Sequence, residues 1–581
     1  MENKIEFRTI VLASFVLHIL ASFLSSGWYN PDEQTCILEY VNFKLGISSN
    51  PCFLNIETEN QLVRDSSLKI RSWSQPFFYF LLTKISLFLN INDPFSITYV
   101  LKIVSSMIGF FSTYYFFIKT ENHFNNKFSK KIYLYSSFLI FYLTFFHART
   151  SAENFGISFL IIGLAYFFSN NINFKNLNFF YLGMIFGLSF IFRYNLGITI
   201  FCIFIYITFI HNNKLSLKFS KIFYLSLGIL IICFFDFLIA LWGFGKIQNI
   251  KIDHLYNYEF FLNNITWLQF LLCGIYNDFC GGGSWNPKPF LYYFTFILLE
   301  FFPPLSIIII FAICYFWIKG YKNIIFWSTF PYFLVHSFIP HKELRFIFPI
   351  LIFTPYFLGY FFEKINLQKL NYKTLSVLSV CFIINIFGLL YYSFSSQKSE
   401  LKFLKYIYYN PEIKNIEFIN SKNEIKFYES LNPFNIDSIS NNYYFRFKNI
   451  KLVEEIKENK DLIIHWSQIN CSSECIKKEQ ISIKNNRSKY MLFLKNNKEK
   501  LEMNIYLKVI EQNILSEYIS KLDFKEKKYF LTKSLKVNQY FKNQSQCKLI
   551  KNSLPPWMLN ITFNEINKRL DFLNLYKCEL Q

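Results

Sequence analysis

No basic stripe or arm stands behind the net charge of +21. The 60 Lys and Arg residues are scattered through short loops and a polar C-terminal region, which argues against nucleic-acid binding. A metal motif is also missing. Cys471 and Cys475 have the spacing C-x3-C but no companion His cluster, so a zinc site is the weaker reading. With Cys547 and Cys578 they make four Cys in a polar region, enough for two disulfides in an oxidising compartment, with three pairings open. No A-x-A-like cleavage site follows the apolar residues 8–26, which therefore read as a first span that also anchors the chain. Gly281, Gly282 and Gly283 lack the flanking Lys-Ser/Thr of a phosphate-cradling loop and read as a flexible outer loop.

Apolar mass is abundant. The chain is 52% hydrophobic and 21% aromatic, with 75 Phe and 39 Tyr, more Phe than a soluble domain carries. Apolar segments predict about eleven transmembrane helices, near 8–26, 97–118, 132–147, 155–169, 178–192, 195–210, 222–243, 290–317, 323–338, 346–362 and 374–394. The expected fold is mostly α and polytopic. Residues 1–397 form the membrane domain. Residues 398–581, rich in Lys, Asn, Glu and Ser, form a polar domain of α/β or mostly β type, with strand-like runs such as "DLIIHW" and "YMLFLK".

Basic residues set the orientation. With Lys4 in the cytoplasm, loops 119–131, 170–177, 211–221, 318–322 and 363–373 fall on the cytoplasmic side, and each carries Lys. This parity requires that residues 76–90, which start at Pro76 and contain Lys84, lie along the bilayer surface instead of crossing it. Six polar motifs then share the outer face: "NPDEQ" at 30–34, "KIRSWSQP" at 69–76, "HARTSAEN" at 147–154, "FRYN" at 192–195, "CGGGSWNP" at 280–287 and "HKELR" at 341–345.

Each motif has a plain structural reading and a chemical one. Asp32 and Glu33 can open a helix, where acidic groups complement the dipole, or one can act as a base while the other fixes the loop. In "HKELR", Lys342 and Arg345 can snorkel to headgroups with Glu343 paired to one of them. Alternatively His341, Lys342 and Arg345 can clamp a phosphate, to which Arg offers a planar fork and Lys a point charge. Arg71, Arg149 and Arg193 add positive potential on the same face, with Glu153 and Trp285 as further site-lining candidates. A carboxylate base beside a cationic phosphate clamp is what glycosyl transfer from a lipid phosphate needs, and one base suits inversion by direct displacement.

"HKELRFIFPI" resembles the HKE-x-RF signature of glycosyltransferase family 22. "NPDEQ" is similar to that family's first-loop PDE motif, "KIRSWSQP" to its RS-x3-P segment and "HARTSAEN" to its ART-x-x-E/S stretch, over roughly residues 8–395. The resemblance implies a GT-C fold and an inverting mannosyltransferase of GPI-anchor or lipid-linked oligosaccharide synthesis. It implies dolichyl-phosphate mannose as donor, a lipid-linked glycan as acceptor, no metal or other cofactor, and a lumenal site in the endoplasmic reticulum membrane. The bacterial relatives make a bacterial cytoplasmic membrane the alternative. Carried over, Asp32 is the base, Glu33 orients it or the acceptor, and His341, Lys342, Arg345 and Arg71 engage the donor phosphate. A lipid-linked sugar flippase is the competing expectation. It calls for ionisable residues deep in the spans, where the sequence offers mainly Lys102 and Asp236.

Overall fold

The structure is a computed structural model. It describes residues 2–25, 27, 33–45, 72–169, 176–210, 215–243, 288–339, 342–364, 372–394, 405–406 and 409–410, and five strands between 415 and 580. The helices are α1 (Glu2–Leu24), α2 (Glu39–Lys44), α3 (Ser74–Phe88), α4 (Pro94–Thr120), α5 (Lys127–Leu139), α6 (Phe141–His147), α7 (Ala152–Ser169), α8 (Asn176–Phe192) and α9 (Leu196–Ile205). They continue with α10 (Leu215–Gly243), α11 (Tyr292–Glu300), α12 (Leu305–Lys319), α13 (Ile324–Phe338), α14 (Thr354–Lys364) and α15 (Tyr372–Phe394). A π-helical turn, Glu33–Leu38, leads into α2, and a 3-10 turn, Leu344–Ile347, precedes α14.

Among the described residues five helices are long and apolar enough to cross a membrane, or up to seven if each of two bent pairs counts as one span. The remaining expected spans are short or broken. Residues 132–147 divide at Ile140, which is extended (φ −70°, ψ 128°) and separates α5 from α6. The break exposes backbone groups in an apolar setting, where they must find partners. Asn385 of α15 supplies both: its Oδ1 accepts from the Phe141 N–H at 3.1 Å and its Nδ2 donates to the Leu139 carbonyl at 2.8 Å. Residues 290–317 divide between α11 and α12 at Phe301–Pro304, where Pro303 and Pro304 lack amide donors. Helices α12 and α13 meet at 113°.

The helix ends sort into two sets. One end collects Lys131 paired with Glu6 (3.1 Å), Glu363 accepting from the Asn125 and Asn126 amides (3.0 Å each), and Tyr356 bonded to His123 and Asn323 (3.0 Å each). These residues lie in or beside the loops assigned above to the side of Lys4. The opposite end holds the described parts of the polar motifs. Helix α3 begins and finishes at this second end. Its first residues bond to α10 and to Thr150, and it leads through Asp93, which caps α4 by accepting from the Ser96 N–H at 2.7 Å.

Close helix approach needs small residues. A Cβ on Gly183 of α8 would lie 2.1 Å from the Leu225 carbonyl oxygen of α10, and one on Gly228 of α10 would lie 2.3 Å from that of Phe180. Elsewhere the interior is filled with rings. Phe301 stacks on Tyr142 at 4.6 Å and Phe316 packs edge-on against Tyr356 at 5.8 Å.

The described residues after 410 form one five-stranded sheet, β1 (Asn415–Asn420), β2 (Tyr506–Glu511), β3 (Lys528–Thr532), β4 (Ser545–Asn552) and β5 (Asn574–Leu580), ordered β2-β1-β3-β5-β4. β1 is parallel to β2 and β3; β5 is antiparallel to β3 and β4. Lys405 donates to the Tyr99 hydroxyl at 2.7 Å, so the start of this region rests on the first turns of α4, at the end that carries the polar motifs.

Candidate active site

The turn between α6 and α7 is the hub. Asn154, in the first turn of α7, folds it back by donating from Nδ2 to the carbonyls of His147 (2.8 Å), Ser105 (3.2 Å) and Arg149 (3.3 Å). That fixes the backbone of Thr150. Its N–H and hydroxyl donate to Glu33 at 3.2 and 3.3 Å, and its carbonyl accepts from Gln75 Nε2 at 3.0 Å. Glu33, of "NPDEQ", is 1% exposed. Three of the six motifs therefore meet at one residue.

A fourth and fifth join through Glu153, one turn further along the chain. Its carboxylate pairs with Arg193 at 3.0 Å and faces Arg345 at 3.7 Å. The second distance is longer than a hydrogen bond. Arg345 is held more tightly by Glu343, with Nε at 2.6 Å and Nη2 at 3.2 Å from its two oxygens. Both guanidinium groups lie by the Phe346 ring, at 5.9 Å for Arg193 and 5.2 Å for Arg345. Formal charges cancel within this group of two Arg and two Glu. Beside it, Lys342 donates to the carbonyls of Ile339 (2.5 Å) and Lys288 (3.3 Å). Burial pushes its ammonium below the usual lysine range.

The two ionisable residues expected deep in the spans both have partners that belong to the site. Asp236 of α10 accepts from Ser72 (2.9 Å), Ser74 (2.5 Å) and Tyr194 (3.2 Å), tying "KIRSWSQP" to "FRYN". Lys102 of α4 donates to the carbonyls of Ser25 (2.9 Å) and Gly27 (2.8 Å). Arg149 reaches the same two carbonyls, at 3.0 and 3.2 Å, and also the Ser25 hydroxyl.

Glu33, Arg149, Glu153, Arg193, Lys342 and Arg345 are thus brought to one end of the bundle, most of them through direct contacts. Asp32, Arg71, Trp285 and His341 lie outside the described residues, as does the whole "CGGGSWNP" motif. Two placements refine the expectations. Arg149 turns toward the end of α1 and holds backbone. Glu343 pairs with Arg345, as the structural reading of "HKELR" had it, yet Lys342 is buried and bonded to carbonyls. Thr150, Gln75 and Tyr194 were passed over. All three sit inside quoted motifs, but their types carry no chemical signal by themselves. Ser25, next to the end of α1, gave no signal at all.

The family model described as the Alg9-like mannosyltransferase family matches residues 65–445, more than half of the chain. The chain belongs to that family. It is a multi-pass membrane glycosyltransferase, and the matched stretch holds four of the five motifs joined above. No curated protein sequence matches the chain. Among solved structures it is similar to ArnT from Cupriavidus metallidurans bound to undecaprenyl phosphate, at 7% identity and a TM-score of 0.42, covering 98% of both chains. The same enzyme in the apo state is 8% identical with a TM-score of 0.42, covering 99% of this chain and 98% of the other.

Proposed function

We propose that this family member is an inverting mannosyltransferase of GT-C type. It takes mannose from dolichyl-phosphate mannose and passes it to a lipid-linked glycan, such as a GPI precursor or a lipid-linked oligosaccharide, on the lumenal side of the endoplasmic reticulum membrane. The observation that carries the reading is the bridge made by residues 147–154. Thr150 bonds to Glu33, next in sequence to Asp32, while Glu153 three residues later faces Arg345 of "HKELR". A carboxylate segment and a cationic segment, with Glu33 and Arg345 312 positions apart in the chain, are joined through one helix entry.

The chemistry runs as a single displacement. Asp32 accepts the proton of the attacking acceptor hydroxyl. The acceptor oxygen bonds to the anomeric carbon from the face opposite the phosphate, and the carbon–oxygen bond to phosphate breaks. Glu33, fixed by Thr150, orients the loop. Arg345, Lys342, His341 and Arg71 take up the charge that grows on the leaving phosphate. Donor phosphate oxygens compete with Glu153 and Glu343 for Arg345, which is a geometry suited to release as well as capture.

The test is transfer by the purified protein in liposomes, with dolichyl-phosphate mannose against dolichyl-phosphate glucose, and a panel of GPI and oligosaccharide acceptors. Mannose transfer with inversion at the anomeric carbon is expected. Exclusive use of a different polyprenyl-phosphate sugar would replace the donor assignment, and no transfer from any of them would remove the reading. Arg345→Ala is expected to raise the donor KM about tenfold or more, the loss of a charged hydrogen bond of about 1.5–3 kcal/mol. An unchanged KM would count against the clamp.

A further inference from the structure

Two buried cations remain that the displacement does not use. Lys102 and Arg149 are 2% and 1% exposed, and they converge on the same pair of backbone carbonyls, Ser25 and Gly27, at the end of α1. Burying a charge against neutral carbonyls is expensive, and an apolar pair at the same places would be the cheaper way to pack a helix bundle. The carbonyls are presented by an unusual turn: Gly27 has φ 95°, in the left-handed region that favours glycine. The guanidinium of Arg149 also lies 4.5 Å from the Phe145 ring centre, which fixes its plane.

The other end of the same loop is held by the adjacent residue. Glu33 accepts from the Thr150 N–H and hydroxyl, and its carboxylate is the negative charge that both Lys102 and Arg149 feel. Ser25, Gly27 and Glu33 are therefore fastened to consecutive positions, 149 and 150, whose carbonyls Asn154 and Gln75 hold in turn. We propose that Lys102 and Arg149 are positioning residues for the reaction. They hold Ser25 and Gly27 at the end of α1 while Thr150 holds Glu33, so that Glu33 is kept at one fixed place. This rests on the reading of Asp32 as the base. It gives Lys102 a role other than that of an ion-pathway residue, and it assigns Arg149 to the loop and not to the donor phosphate.

The test combines a structural readout with a kinetic one, on the full chain in nanodiscs. Lys102→Met keeps an unbranched side chain one atom shorter and removes the three donors. Amide hydrogen exchange in residues 33–45 is expected to rise at least tenfold while α7 and α14 stay protected. The kcat should fall about a hundredfold, the scale of a 1 Å misplacement of a reacting group, with donor KM within twofold of wild type. Lys131→Ala, at the other end of the bundle, serves as the control and is expected to change neither. Should Lys102→Met fail to fold, Ser25→Ala removes the hydroxyl that accepts from Arg149 and donates to the Ala21 carbonyl while leaving the Ser25 carbonyl in place, and a smaller shift in the same two quantities is expected. Unchanged exchange, or a loss confined to donor KM, overturns the clamp. If wild type transfers no sugar, the enzyme reading falls, and exchange alone then decides whether the clamp exists.

Discussion

Glu153 is the carboxylate on which two arginines from distant segments converge. Replacing it by Gln leaves Arg193 and Arg345 buried with one fewer counter-charge. Breaking a buried pair in this way costs about 3–5 kcal/mol. Glu153→Gln is therefore expected to lower the thermal midpoint in detergent by several degrees, and the double variant with Arg193→Gln should lose less than the sum of the two. Full additivity would mean that the pair contributes nothing. At this scale the sequence was readable by type more than by partner. Glu153 and Arg193 were singled out because a charge beside an apolar helix needs a reason, but nothing local says that they meet, 40 residues apart. Lys102 shows the limit most clearly: inside an apolar run it stands out at once, yet its partners are two carbonyls 75 and 77 residues earlier.

Among the elements, apolar runs located nearly all the helices, because a run of that length has few other uses. What they could not locate were the breaks. Ile140 lies in a continuous apolar stretch and has no turn-forming neighbour, so 132–147 reads as one span. The break is made affordable by Asn385, a lone amide in a helix 245 residues later. Asn385→Leu should leave the Phe141 N–H and the Leu139 carbonyl unpaired, at about 1–3 kcal/mol each. A lowered thermal midpoint is expected; an unchanged midpoint would contradict the bridge. In the sheet, the antiparallel pairing of β4 with β5 shifts register between Leu549 and Lys551, an irregularity that strand-like alternation in the sequence does not announce.

Over the whole molecule, the described parts of the polar motifs gather at one end of the bundle and the Lys-rich loops 119–131 and 318–322 at the other. The sequence carried that division because loop charge is set by the side of the membrane and motif polarity by the site. It depends on α3 not crossing. Single cysteines at Lys131 and Lys322 should react with a membrane-impermeant thiol reagent from one side of sealed vesicles, and a cysteine at Asn90 from the other. Labelling of all three from the same side would break the layout. The chemistry then reduces to whether the acidic first loop supplies the base. Turnover of dolichyl-phosphate mannose by Asp32→Asn, in protein shown by thermal melting to be folded, tests this most directly. A fall of at least a thousandfold against wild type, with donor binding retained, is the expected result, about 4 kcal/mol or more of lost transition-state stabilisation. Turnover within tenfold of wild type would contradict it.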